Sequence, residues 1–337
     1  MKPRYRYTSL ILVALILTVG FVLLCSQTGY GETLQDKLLG TGGGFIPIEG
    51  WITTAVDWMA INFRPLFDVV TIIVNVVNDT IITILRFGDW HYSGVFVFNI
   101  FGTVVQIPLL AGLVGLLMWY LSGSIVTGSA GLVMLWLAAN FGYWPETIET
   151  FSLTLTSAFL ALVLGIPTGI FAAINDTADT IIRPILDLMQ TMPVFVYLIP
   201  AVLFFGIGPA PGAVATVIFA YPPAVRLTNL GIRGVPTELI EAGESFGCNN
   251  IQLLTKVQLP VARPNIMAGV NQTIMLALSM AVVAGLVGAG GLGGVVVRGI
   301  QRMRVGEGFV GGLVVVFVAM ILDRATSNIG QSTTEEA

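Results

Sequence analysis

The chain has 337 residues, 55% hydrophobic and 10% charged, with a net charge of −4 and a mean hydropathy of +0.88. An ordinary soluble domain carries about 25% charged residues, so this composition excludes a water-dissolved globule and makes lipid the solvent. The acidic balance gives no support to nucleic-acid binding, and two cysteines, Cys25 and Cys248, make neither a disulfide framework nor a metal site.

The first apolar run, 10–25, follows Lys2, Arg4 and Arg6. That pattern fits a transmembrane helix with its basic end in the cytoplasm, or a signal-like segment; a retained helix is expected. Residues 27–50 read as a linker, with Gly40 and Gly42 to Gly44 before Pro47. Ile52, Val56, Met59 and Phe63 then recur at helical spacing beside Trp51 and Trp58, the pattern of an amphipathic helix lying at the membrane interface. The run 66–87 is apolar but interrupted by Asp68, Asn75, Asn78 and Asp79. A carboxylate in mid-bilayer is costly, so an interfacial helix is expected there too.

Seven further spans follow, at 96–121, 124–143, 150–174, 192–208, 211–231, 265–288 and 307–324, each near the length that crosses a bilayer. Gly, Ser and Ala recur inside them, as where helices pack closely in lipid. With the first helix they make eight crossings and put both termini on one side. Taking that side as cytoplasmic leaves Lys2, Arg4, Arg6, Arg183, Arg226, Arg233, Lys256, Arg263 and Arg324 inside. Lys37, Arg64, Arg86, Arg298, Arg302 and Arg304 fall outside, a bias that agrees with the positive-inside rule.

Between the last spans lies a polar island, 238–264, reading ELIEAGESFGCNNIQLLTKVQLPVARP. Pro236 suits a first helical turn, and Glu238 and Glu241 complement the helix dipole. Gly247 supplies a left-handed cap, and Asn249 an N-cap for a second short helix over 250–258. Ile251, Leu254 and Val257 form an apolar ridge on it; Pro260 should stop it and Pro264 begin the next span. So short a helix is marginal alone. Its ridge should pack either on the chain's own face or in a partner.

Catalytic signals are missing. No G-x-x-x-x-G-K-[ST] loop occurs, and the G-x-G-x-x-G match at 288–293 lacks the βαβ setting that a dinucleotide site requires. It reads better as a close-packed turn. His91 sits beside Trp90 and Tyr92 as an interfacial residue. Asn271, Gln272, Thr273 and Ser279 in the 265–288 span suit either a lined pathway or interhelical hydrogen bonds.

Glu241-Ala242-Gly243, then Gly247, then Leu259-Pro260 resembles the E-A-A-x-x-x-G signature of ABC importer permeases, with Gly243 in place of the commonest Ala. PILDLMQTMPVFVYLIP at 184–200, FFGIG at 204–208, IMAGVNQTIMLALSM at 266–280, GAGGLGG at 288–294 and ILDRATS at 321–327 extend the likeness over about residues 50–327. Together they resemble the permease subunit of ProU/OpuA-type importers for glycine betaine, proline betaine and related compatible solutes.

The resemblance implies an all-α integral membrane protein of a bacterial-type inner membrane, with a type I, MetI-like permease core plus an extra N-terminal helix and interfacial helices. It divides the chain into an N-terminal helix or signal-like segment (1–28), an extracytoplasmic linker with interfacial helices (29–92), a permease domain (93–327) and a cytoplasmic tail (328–337). A coupling loop at 236–262 would carry Glu241, Ala242, Gly243, Gly247, Ile251, Leu254, Leu259 and Pro260. The implied partners are a second permease copy, two ATP-binding subunits, an extracytoplasmic solute-binding protein and lipid, with no nucleic acid. The chain itself would be non-catalytic and bind no cofactor; ATP and Mg would sit on the partner ATPase. Tyr197, Phe204, Asn271, Gln272, Thr273 and Ser279 are the pathway candidates. Quaternary ammonium groups favour aromatic faces, yet Phe195, Tyr197, Phe204 and Tyr221 form no concentrated cage. Trimethylamine oxide, carnitine, choline or a sulfonium solute stays open, as does a carrier working without an ATPase.

Overall fold

The computed structural model describes residues 48–86, 95–100 and 103–331. The expected helix at 10–25, the glycines at 40–44 and His91 lie outside the described residues. The chain divides into two units, 1–63 and 64–337. In the first, α1 (Ile48–Asn62) is closed by the Phe63 N–H donating to the Met59 carbonyl at 2.9 Å. Val56, Met59 and Ala60 are half-buried, whereas Trp51, Ile52, Trp58 and Ile61 are exposed. Apolar side chains thus cover more of α1 than the single expected stripe.

The second unit begins with α2 (Arg64–Arg86), followed by an antiparallel hairpin of β1 (Val95–Ile100) and β2 (Thr103–Pro108). Then come α3 (Leu109–Ser122), α4 (Ile125–Asn140), α5 (Trp144–Ile174), α6 (Asp176–Thr191), α7 (Val194–Phe205) and α8 (Pro209–Arg233). A short pair, α9 (Thr237–Ser245) and α10 (Asn250–Leu253), leads through a π-helical turn, Leu254–Gln258, into α11 (Leu259–Ala284). After a 3-10 turn, Gly285–Val287, the chain closes with α12 (Gly291–Gln301) and α13 (Val305–Gln331).

Three helices, α5, α8 and α11, make the centre, and small residues let them meet. A Cβ added to Gly165 or Gly169 would lie 2.7 Å from the Ala224 or Thr228 side chain, so α5 and α8 run parallel in near backbone contact. On α11 the order reverses: Gly212 faces Ala284 and Ala289, while Gly231 faces Ala262 and Asn265. The bundle therefore has two ends. One gathers the last turns of α5 and α8 with the start of α11; the far end gathers their opposite termini and α12.

Four helical stretches among the described residues are long and apolar enough to cross a membrane: 64–86, 144–174, 250–287 and 305–326. A fifth arises if α6 and α7, bent by 95° at Met192–Pro193, count as one broken span. These match the expected spans at 150–174, 265–288 and 307–324, and α8 coincides with 211–231. Elsewhere the structure departs from expectation. The first half of the expected 96–121 span is the β1–β2 hairpin, in register from Val95↔Pro108 to Ile100↔Thr103. Its β-branched and aromatic content, Val-Phe-Val-Phe against Thr-Val-Val, favours extended backbone over a helix. The expected 192–208 span shrinks to the 12 residues of α7. The parity argument from eight crossings accordingly has no support among the described residues.

Helix α2, expected at the interface, is long and apolar enough to cross a membrane and packs on the bundle. Val74 and Asn78, one turn apart, are buried. Ser152 of α5 donates to the Asn78 Oδ1 at 2.9 Å and to its backbone carbonyl at 3.0 Å. Asn78 is thereby satisfied inside protein, and α2 packs against α5 with Asp68 and Asp79 exposed.

Candidate functional site

The polar island folds into an elbow, and its capping chemistry explains its shape. At the end of α9 the Phe246 N–H donates to Ala242 O and the Cys248 N–H to Gly243 O, both at 3.1 Å, closing the last turn. Gly247, with φ +80°, is the left-handed residue that reverses the chain. Asn249 then caps α10: its Oδ1 accepts from the Gln252 N–H at 2.8 Å, and the Gln252 Oε1 accepts from the Asn249 N–H at 3.0 Å.

Gly243 is buried against the second limb, where an added Cβ would meet Leu253 Cδ1 at 2.9 Å and Val257 Cγ2 at 3.4 Å. Leu253 and Val257 thus hold the elbow shut. Leu254 and Leu259 are half-buried, whereas Glu241, Ala242 and Pro260 are exposed. Ile251 is 73% exposed and Phe246 90% exposed, so two large apolar side chains project from a polar loop. The expected ridge of Ile251, Leu254 and Val257 therefore divides, with Val257 turned inward and Ile251 outward.

Pro260 does not end the helix, contrary to expectation. The Leu259 N–H donates to Leu254 O, a five-residue bond, in the π turn just before the proline. That wider turn accommodates the ring and the missing N–H, so the limb runs unbroken from Asn250 to Val287.

The last turns of α8, which lead into α9, are clamped by charges that local sequence patterns do not bring together. Arg233, the last residue of α8, pairs with Asp176 at 2.7 Å and donates to Asn229 Oδ1 at 2.9 Å and to the Ala172 carbonyl at 2.8 Å. Asp179, buried, accepts from Asn229 at 2.7 Å and Arg183 at 2.9 Å. Arg226 pairs with Asp187 across α8 and α6. The available signal was four charges within the 16 residues of α6 in so apolar a chain; their partners on α8 are some fifty positions away.

The pathway candidates scatter. Asn271 bonds Asp323 and Thr326, tying α11 to α13. Thr273 is fully buried, and Phe204 stacks on Phe67 at 4.5 Å between ring centroids. Tyr197 is buried beside Met280 and Ala215. Gln272 and Ser279, seven residues apart and both exposed, share one face of α11 with Asn265 and Ala268.

Residues 165–331, which hold the elbow and its clamp, match the family model described as binding-protein-dependent transport system inner membrane component. The glycine betaine/proline betaine transport system permease protein ProW of Escherichia coli (strain K12) is 44% identical over 288 residues, covering 86% of this chain and 76% of that protein. The chain belongs to the binding-protein-dependent inner-membrane permease family. A further relative, the glycine betaine/carnitine transport permease protein GbuB of Listeria monocytogenes serotype 1/2a (strain 10403S), is 44% identical and 98% covered. Among solved structures, a chain of the MetNI methionine ABC transporter in an inward-facing crystal form shares the fold, with a TM-score of 0.52 and 23% identity over 56% of this chain and 95% of that one.

At the far end of the permease the Gly-rich run 288–294 forms the turn into α12. Gly290 and Gly291 hold φ of +81° and +64°, and an added Cβ on Gly290 would sit 2.8 Å from Glu149 Oε2. The Gly291 N–H donates to Glu149 Oε2 and the Leu292 N–H to Thr150 Oγ1, both at 2.8 Å. Two orphan donors of the α12 N-terminus are thus satisfied by α5, with the carboxylate complementing the helix dipole. The donors that a dinucleotide phosphate would need are occupied by the protein itself.

Proposed function

We propose that this permease forms the membrane path of an ATP-driven importer for glycine betaine, proline betaine and related methylated zwitterions. Two copies of the chain would assemble with two ATP-binding subunits and an extracytoplasmic solute-binding protein. The elbow is the contact for the ATP-binding subunit. The observation that carries this reading is the pairing of two outward apolar side chains, Phe246 and Ile251, with a limb that continues unbroken into α11. A groove that receives Phe246 and Ile251 can pull on α11, while the Arg233 clamp holds the end of α8 to α5 and α6. Rocking of that kind alternates access between the two ends of the bundle. Gln272 and Ser279, on one exposed face of α11, are the pathway residues this reading retains.

Likeness to the relatives' named solutes supports the substrate class, and a transport panel tests it. The permease, co-expressed with the ATP-binding subunit and solute-binding protein of its own organism, is reconstituted in liposomes and offered glycine betaine, proline betaine, carnitine, choline and trimethylamine oxide. ATP-dependent uptake of a betaine in preference to choline and trimethylamine oxide is expected. Uptake by the permease alone, or of none of these solutes, would sink the reading.

A further inference from the structure

At the far end, α7, the turn at Gly206–Gly208, the Gly285–Gly290 turn and α12 border an open groove of about 590 Å³. Val202, Ile207, Val287 and Val297 line it, and its long polar side chains are Arg298 and Gln301. Apolar walls with few polar groups, at this volume, are the usual make-up of a small-solute site.

The electrostatics of Arg298 set it apart. Its nearest carboxylate oxygens are Glu307 Oε1 at 3.9 Å and Glu146 Oε1 at 4.0 Å, and Glu307 is also 3.6 Å from Arg304. The pairs at the elbow end are tight by comparison, 2.6 Å for Arg183–Asp179 and 2.7 Å for Arg233–Asp176. Arg298 and Arg304 stand among Glu146, Glu307 and Glu149, the last held on the Gly291 N–H, and the Arg298 fork is not closed on Glu146 or Glu307. A solute carboxylate can take that fork through paired charge-assisted hydrogen bonds. A zwitterion adds no net charge to the cluster and brings a cation that the acids beside Arg298 favour; a solute bearing only a cation gains nothing from Arg298.

We infer that this groove is a transit site for the zwitterionic solute, with Arg298 receiving its carboxylate. The inference rests on the transport reading above and names the group that handles the solute at the end opposite the elbow. Binding there is weak and fast, since a transit site must release what it accepts.

The test uses the full-length permease with its ATP-binding subunits in nanodiscs, without the binding protein, and reads saturation transfer to the methyl protons of glycine betaine. Choline, which lacks the carboxylate, is the control. The Arg298→Gln complex should lose about tenfold of the glycine betaine signal, as expected when a charge-assisted pair is removed, and leave the choline signal unchanged. Gly294→Ala covers the case where that variant fails to assemble. Its methyl would sit 3.4 Å from Arg298 Nη1, the one contact within 4 Å, and should reduce the signal severalfold by narrowing the groove. Wild-type signal in Arg298→Gln, or in Gly294→Ala, overturns the inference, as does a wild-type complex that gives none. Each of those results leaves the uptake panel intact, and only failure of uptake in the wild type speaks against the importer itself.

Discussion

Gly247 carries the sharpest consequence of any residue in the elbow. At φ +80° an L side chain is strained by about 1–2 kcal/mol, more for a β-branched one. Gly247→Val should therefore open the turn, and Gly247→Asn, which tolerates that conformation, should keep most function. Thermal unfolding and solute-stimulated ATP hydrolysis of the assembled complex distinguish the two; equal behaviour of Val and Asn would remove the cap from the explanation. Gly243 behaves differently, because the obstacle is the flexible tip of Leu253 at 2.9 Å. Gly243→Ala should be accommodated by a small shift of Leu253, whereas Gly243→Leu should push the limbs apart and abolish stimulation. At this scale much was legible. Gly247 and Asn249 announce caps through their own conformational preferences, independent of anything distant. The split of the apolar ridge was not legible, because helical spacing cannot tell which side the first limb will cover.

Between elements, the informative contacts are long-range in sequence. Glu149 caps α12 from α5, 142 positions away, and no local pattern reports it. Removing that cap in Glu149→Ala should destabilise the protein by about 1–2 kcal/mol, while Glu149→Gln keeps an acceptor oxygen and should recover most of the loss. Equal melting temperatures for wild type and Glu149→Ala in detergent would deny the cap its role. The Arg233 clamp is the matching device at the elbow end. Its side chain is about one-third exposed, so Arg233→Ala should cost about 1–2 kcal/mol, below the value for a fully buried charged bond. Loss of coupling should exceed loss of stability: ATP hydrolysis continues while uptake falls. Fully coupled uptake in this variant would show that the end of α8 needs no anchor. Spans with long windows of high mean hydropathy, such as those in α5 and α13, were readable from composition alone. The β1–β2 hairpin and the packing of α2 were not. Apolar runs do not distinguish strand from helix, and nothing local announces that Ser152 will satisfy Asn78 inside the bundle. Pro260 misled for a related reason, since a π turn absorbs the defect that normally ends a helix.

For the whole molecule, the two ends of the bundle divide the work. The elbow end holds tight ion pairs and an exposed apolar pair; the far end holds a loose charge cluster and a groove. Arg183, Arg226 and Arg233 lie at the elbow end and Arg298 and Arg304 at the other, whereas Arg64 and Arg86, expected on one side, stand at opposite ends of α2. Cysteines introduced at Glu244 and at Gln301 should accordingly label from opposite sides of sealed vesicles; labelling from one side would contradict the two-ended arrangement. The most direct measurement concerns Phe246 and Ile251 replaced together by Asp. Buried apolar anchors at an interface are worth 2 kcal/mol or more. ATP hydrolysis stimulated by loaded binding protein, and uptake with it, should then fall at least about tenfold while the permease still inserts and keeps its elbow. Stimulation and uptake at wild-type levels in that double variant would mean that this loop is not where ATP hydrolysis drives transport.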